Sequence, residues 1–452
     1  MLFRPLVAGA SILVGTFVWS SAVAGEPKII AGPMVSKSEP NRIEIWLETD
    51  KESMIGARLV SGRAGSGGAG DFVAAKRLLC SRYLHRLQLS TDASSAVRIQ
   101  FAWATQPAGE QVKWTLVDGV EWRGTTPPLV GAAGRFNLAF GSCSHQEKHP
   151  ASQPVWSAVA ADKPDLFLFI GDNIYLPNDS IQYPATRAEV LKLYCDTYDR
   201  QRRMPELQSL LRSTYCFGLW DDHDYGPNNS DRTWQWKDVA LEAFMLYFPG
   251  EYGLPDARGC FRKFAWGDVD IFMLDDRTFR DPNTAPDRRT FLGEKQLAWL
   301  KEGLSASRAT FRIIVCGNQI LSDTHPHEGW GTCFRAERDE FLQWLWNNRI
   351  GGVIFLAGDR HFAELVHKKD PSKKAADLWE LTSSPLANDT FKSGDQIPNA
   401  DRVAAYTTGP NYGVLEFDTV ANPPSVMLKL KSETGKTMFQ QEVRSIRRAD
   451  SP

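Results

Sequence analysis

Four short polar segments carry residue types that bind metal ions, and each follows directly on an apolar run. Asn137 to Phe140 leads into Gly141-Ser142-Cys143, and Leu166 to Ile170 leads into Gly171-Asp172-Asn173-Ile174-Tyr175. Phe217 to Trp220 leads into Asp221-Asp222-His223-Asp224, and Val353 to Ala357 into Gly358-Asp359-Arg360-His361. Thiol, phenol, imidazole and carboxylate groups brought together can hold one or two cations, activate water and neutralise an anionic substrate. Asp221, Asp222 and Asp224 repel one another unless positive charge neutralises them.

Each segment alone has a plainer reading. A Gly-Asp pair after a strand is a common turn, because Gly supplies backbone freedom and Asp caps a following helix. Cys143 alone would be a small buried apolar residue, Tyr175 a half-buried aromatic with its hydroxyl satisfied, and His361 a core histidine. The joint occurrence of all four favours one shared site, since strand ends in α/β layers converge on a common crevice.

The elements that must position these loops follow from periodicity. After Gly134, strand-like runs (137–140, 166–170, 216–220, 269–274, 311–315, 353–356) alternate with helix-like segments (188–198, 236–247, 294–304, 336–346), which predicts a layered α/β domain. Before it, short strand-like stretches at 42–49, 85–90, 96–103 and 112–117, separated by Gly, Ser and Pro, predict a small antiparallel β-sandwich. Residues 412–417 and 425–431 read as a closing hairpin.

The chain has 452 residues, 42% hydrophobic and 23% charged, enough for one large or two ordinary domains. A formal charge of −2 excludes a basic footprint for bulk nucleic-acid binding, but not a local cationic site for a small phosphate ester. Arg4, the apolar run from Pro5 to Trp19 and the small residues Ala22-Val23-Ala24 read as an export signal cleaved after Ala24, so a secreted or periplasmic location is expected. No later stretch reads as a transmembrane helix. Seven cysteines (80, 143, 195, 216, 260, 316, 333) in an exported chain leave at least one outside any intramolecular disulfide, with Cys143 the candidate.

In this order the four segments resemble those of the alkaline phosphatase D (PhoD) family, within the calcineurin-like metallophosphoesterases. Gly32-Pro33-Met34-Val35 with Ile43 to Trp46 resembles that family's N-terminal fibronectin-like sandwich, and Asp275 to Arg277 and His223 with Asn228-Asn229 fall in the family's order. The resemblance implies two packed β-sheets with flanking helices, an N-terminal sandwich over 25–130 and a catalytic domain over 131–445. It implies a ferric ion (Fe3+) held by Cys143, Tyr175 and His361, with Asp172 as the bridge, and Ca2+ on Asp222, Asn229 and Asp359. The donor chemistry agrees: phenolate and thiolate suit a strongly Lewis-acidic ion, carboxylate and amide oxygens suit calcium. Asp221 and Asn228 remain rivals for the calcium positions.

Hydrolysis of a phosphate monoester or diester is the expected activity. His223 would protonate the leaving oxygen or ligate metal, while Arg277 and Arg360 would clamp phosphate or form structural ion pairs. Two other readings stay open at this stage. One is a purple-acid-phosphatase-like hydrolase with iron and zinc or manganese, disfavoured because Asp222 and Asp359 stand where that pattern needs histidine-rich motifs. The other is a non-catalytic extracellular binding protein, disfavoured because every motif is intact.

Overall fold

Strands in this chain alternate between two hydrophobic environments, and that alternation builds the layers. In the computed structural model, which describes residues 25–39, 41–61, 71–78, 82–91, 96–104, 112–149, 151–176, 186–285 and 289–445, three sheets are present. The export segment and Cys80 lie outside the described residues.

A ten-stranded sheet runs in the order Thr437–Arg444, Ser425–Ser432, Asn411–Asp418, Arg135–Gly141, Leu166–Ile170, Tyr215–Leu219, Ile29–Glu39, Arg42–Thr49, Leu84–Ser90 and Lys76–Arg77. A seven-stranded sheet runs Arg262–Trp266, Val269–Met273, Phe311–Val315, Val353–Ala357, Leu378–Thr382, Ala363–Lys368 and Arg402–Tyr406. A four-stranded sheet joins Val73–Ala74, Met54–Ser61, Ala96–Ala104 and Thr115–Thr125.

The two large sheets pack face to face. Phe217 stacks on Phe264 at 3.9 Å between ring centroids, and Phe311 meets Phe417 edge-on at 5.7 Å. Successive strand side chains point to opposite faces, so Ile313, Val315, Ile354 and Leu356 enter the core between the sheets. Ile314 and Phe355 point the other way, into a second cluster with Leu300 and Leu304 of helix Glu294–Ala306 and Phe341 and Leu345 of helix Arg335–Asn347. Helix Val155–Ala161 does the same for the ten-stranded sheet, setting Trp156 against Phe167 and Phe169. The runs Leu166–Ile170, Phe311–Val315 and Val353–Ala357 are apolar throughout apart from Arg312 because both faces are covered.

The N-terminal region is rich in strands, as expected. It is also hydrogen-bonded to the rest: Ile29–Glu39 pairs in parallel with Tyr215–Leu219 at Val35↔Tyr215, so sheet bonding runs across residue 130. Elements that the sequence pattern did not single out include Ile29–Glu39, Ala363–Lys368, Leu378–Thr382 and Arg402–Tyr406. The six described cysteines are all buried free thiols, and no helix among the described residues is long and apolar enough to cross a membrane.

Candidate metal centre

Parallel pairing aims the polar segments at one place. Arg135–Gly141, Leu166–Ile170 and Tyr215–Leu219 are mutually parallel, as are Val269–Met273, Phe311–Val315 and Val353–Ala357 in the facing sheet. Their exit loops meet across the sandwich. Asp359 N–H donates to Ser142 Oγ (3.2 Å) and Arg277 Nε to Asp221 Oδ1 (2.6 Å), while within the seven-stranded sheet Gly358 N–H donates to the Gly317 carbonyl (2.9 Å). The approach is close enough that a Cβ on Gly358 would lie 2.6 Å from Ser142 Oγ.

The turns out of these strands are sharp. Among the described residues, eight non-glycine positions have positive φ, and five of them are sequence-predicted ligands: Cys143 (61°), Asp172 (50°), Asn229 (62°), Asp359 (67°) and His361 (54°). Each costs about 1 kcal/mol or more relative to ordinary backbone. Strain gathered on the very side chains that could bind metal marks a built site.

Cys143, Asp172 and His361 each place one donor atom within 4.8 Å of the others. Tyr175 completes the group. Its hydroxyl lies 2.8 Å from Asp172 Oδ2 and 3.4 Å from His361 Nε2, and Cys143 Sγ lies 3.4 Å from Asp172 Oδ2. Burial, followed by the repulsion of neighbouring anions, pushes the Cys143 thiol, the Asp172 carboxyl and the Tyr175 phenol well above their ordinary values. These groups can be anionic together only beside a cation. The donor set therefore fits a strongly charged metal ion.

The cluster of three aspartates is resolved differently for each member. Asp224 accepts from Asn173 N–H (3.1 Å), Asn173 Nδ2 (3.2 Å) and the Tyr198 hydroxyl (3.1 Å), with burial raising it to about 6. Asp221 is held by Arg277 and by Asn318 Nδ2 at 3.2 Å. Asp222 remains, grouped with Asp172 and His223 within 4.8 Å, and Asn229 N–H binds its Oδ2 at 2.6 Å. This geometry favours Asp222 over Asp221 as a ligand. Asn228 and Asn229 are both exposed, but only Asn229 has the left-handed backbone and the bond to Asp222. His223 is half-buried, its ring 4.3 Å from that of Tyr175, and its backbone N–H donates to Asp222 Oδ1 at 3.0 Å.

Of the two roles open to Arg277, phosphate clamp or structural ion pair, the structure shows the ion pair. Its side chain is fully buried and ion-paired with Asp221 and Glu328, with Asp276 Oδ1 at 3.6 Å. A guanidinium so enclosed neutralises the carboxylates behind the centre and has no free fork for a substrate.

Several participants escaped the sequence reading. His325 Nε2 lies 2.6 Å from Asp359 Oδ2, and His325, Glu328 and Asp359 form a further group of possible ligands. Asp359 is held well below its usual range: burial opposes this, but His325, Arg360 and Arg277 outweigh it. Glu328 is pushed up to about 8 by burial despite Arg277. The available signal was the fifth strand exit, Cys316-Gly317-Asn318, followed by His325-Pro326-His327-Glu328. The segment from Ser384 to Phe391 covers the centre: Leu386 N–H donates to the Ser142 carbonyl (2.8 Å), Ala387 N–H to that of Cys143 (3.2 Å) and Phe391 N–H to that of His361 (2.7 Å).

Comparison with known proteins agrees with this architecture. Residues 138–432 match the model of a family described as PhoD-like phosphatase. A solved structure described as that of PhoD superposes with a TM-score of 0.72 at 16% identity, over 94% of this chain and 90% of that one. A purple acid phosphatase isolated from yellow lupin (Lupinus luteus) seeds gives 0.65 at 8% identity, over 93% of this chain and 75% of that one. A search of curated proteins gave no match. The two structures share the fold, a metallophosphoesterase sandwich with a β-rich N-terminal region.

Proposed function

Because this chain belongs to the PhoD-like phosphatase family, we propose that it hydrolyses phosphate monoesters or diesters at a centre of one ferric ion and calcium. The observation that carries this reading is the convergence of Cys143, Asp172, Tyr175 and His361 on one buried point with Asp222 adjoining. Cys143, Tyr175, His361 and Asp172 would hold iron; Asp222, Asn229 and Asp359 would hold calcium, with Asp172 reaching both. When bound, the cations supply Lewis acidity toward the phosphoryl group and its attacking water.

The chain's own groups do the rest. Half-buried His223, beside Asp222 and over the Tyr175 ring, is placed to give a proton to the departing alkoxide. Arg277 keeps Asp221 and Glu328 neutralised, so that Asp222 need not share their charge. Export fits this activity, and the N-terminal apolar segment supports it: an extracellular enzyme meets phosphate esters that cannot cross a membrane. The N-terminal sandwich to about residue 130 serves as a flank to the catalytic layer.

Metal analysis of the purified protein alongside turnover of a nitrophenyl phosphodiester and monoester tests the proposal. Iron with calcium, and activity lost on chelation and regained with calcium, is the expected result. Iron with zinc or manganese would point to the purple-acid-phosphatase type, and a metal-free inert protein to a binding role.

A further inference from the structure

Four arginines lie on or behind the loops that carry the candidate ligands, and three of them are spent. Arg277 is closed in by Asp221 and Glu328. Arg280, fully buried, donates to the carbonyls of Glu328 (3.2 Å) and His327 (3.1 Å) and to Asn283 Oδ1 (3.1 Å). Arg402 binds Glu364 Oε2 at 2.6 Å and three backbone carbonyls, those of Gly394, Asp395 and Ile397.

Arg360 differs from all of these. It sits between Asp359 and His361 on the strained exit loop, half-buried, with its guanidinium 5.4 Å from the Phe362 ring centroid. Its Nε is buried with no hydrogen-bond partner, as is that of Arg280, but where Arg280 places its other nitrogens on acceptors the Arg360 side chain has neither hydrogen bond nor ion pair among the described residues. The acids nearest to it are already committed. Asp359 is bound by His325 at 2.6 Å, Glu328 by Arg277, and Glu364 by Arg402 and by Gln319 Nε2 at 2.6 Å. A partly desolvated guanidinium with no ion-pair or hydrogen-bond partner of its own is costly unless an anion arrives to meet it.

We propose that Arg360 is the substrate-binding guanidinium of this site, receiving two non-bridging oxygens of the phosphoryl group. A planar fork suits that geometry, and two N–H donors can be offered at once. The location follows from its neighbours: the charge of Arg360 acts on Asp359 and Glu328, both members of the His325-Glu328-Asp359 group of possible ligands, so its guanidinium lies at the edge of the centre. Recognition then falls to a residue carried by the same loop as Asp359 and His361. This inference rests on the phosphoesterase reading above.

Steady-state kinetics with a nitrophenyl monoester and diester, together with inhibition by inorganic phosphate, test it. Arg360→Ala should raise KM and the phosphate inhibition constant by about 10- to 100-fold, as expected for loss of charge-assisted hydrogen bonds. Arg360→Lys keeps the charge but loses the fork, and should fall between Arg360→Ala and the wild type. Metal content should match the wild type in both, and added guanidinium ion should restore part of the lost phosphate affinity in Arg360→Ala. Unchanged phosphate inhibition in both variants would overturn the assignment, as would activity that falls only in proportion to lost metal. A wild type that turns over no ester would defeat the hydrolase reading instead. In that case calorimetric binding of inorganic phosphate to the metal-loaded wild type and Arg360→Ala still decides whether Arg360 holds the anion.

Discussion

The Ser384 hydroxyl lies 3.2 Å from Cys143 Sγ, and the same oxygen accepts the His361 backbone N–H at 2.8 Å. One small side chain thus fixes the sulfur and the imidazole loop together. A hydrogen bond to a ligating sulfur withdraws charge from it and tunes the metal. In the iron-loaded protein a visible charge-transfer band is expected, bleached or shifted by Tyr175→Phe. Ser384→Ala should shift the band to lower energy and speed iron loss to a chelator, whereas Ser384→Thr should stay close to the wild type. An unshifted Ser384→Ala spectrum would remove this tuning role.

His223 separates proton donation from metal binding. If it protonates the leaving oxygen, His223→Ala should lower kcat by about 100-fold or more for an alkoxide leaving group. The loss should be much smaller for a nitrophenyl ester, whose leaving group hardly needs a proton. Metal content measured on the same preparation should be unchanged. Equal losses on both substrates with missing metal would make His223 a ligand.

His325 orients Asp359 through the 2.6 Å contact. Groups that support ligands in this way typically contribute about 10- to 100-fold in metal affinity. His325→Ala should therefore raise the calcium concentration that supports half-maximal activity by about that factor while leaving iron content intact. Titration of calcium into the chelated protein measures it, and an unaltered midpoint would show that Asp359 does not depend on His325.

A fourth expectation concerns stability. His85 is buried, with Nε2 3.0 Å from Thr49 Oγ1, and burial followed by the Arg77 charge lowers it to about 4 from an ordinary 6.5. The folded protein therefore holds the neutral ring. Its contribution is fully present above pH 6.5 and is lost as pH falls toward 4, by an amount on the order of 3 kcal/mol at most. Denaturant midpoints of the wild type should fall across that window more steeply than those of His85→Gln. Parallel curves would exclude His85 as a source of acid sensitivity.

The sequence made some features plain and concealed others, for physical reasons. Leu166–Ile170 and Val353–Ala357 are wholly apolar because both faces are buried, so an unbroken run followed by Gly-Asp revealed strand and ligand loop together. Arg402–Tyr406 is only partly buried at the edge of its sheet and carries no such run. Ile29–Glu39 was masked by Gly32 and Pro33, which sit in an irregular stretch of the pairing with Arg42–Thr49. His325 reaches Asp359 from a loop ten residues beyond its strand, a juxtaposition set by tertiary packing and not by local pattern. Arg277 and Arg360 looked alike as neighbours of aspartates; only burial and committed partners tell them apart.

The order of strands in the ten-stranded sheet also governs how the protein comes into being. Arg135–Gly141, which delivers Cys143, is completed on one side by Asn411–Asp418, and Gly413 is packed so closely on Phe140 that a Cβ would lie 2.0 Å from its ring. On the other side of the three parallel strands stands Ile29–Glu39, the first described strand. Such distant pairings are slow to form, because a long loop must close before any contact compensates for it. During synthesis Arg135–Gly141 therefore lacks its partner on that side until residue 418 is free, and the centre it carries is unfinished until then. Under the export proposed above that order is useful: a chain that threads a membrane pore must be unfolded, and the candidate metal centre would close only after the passage.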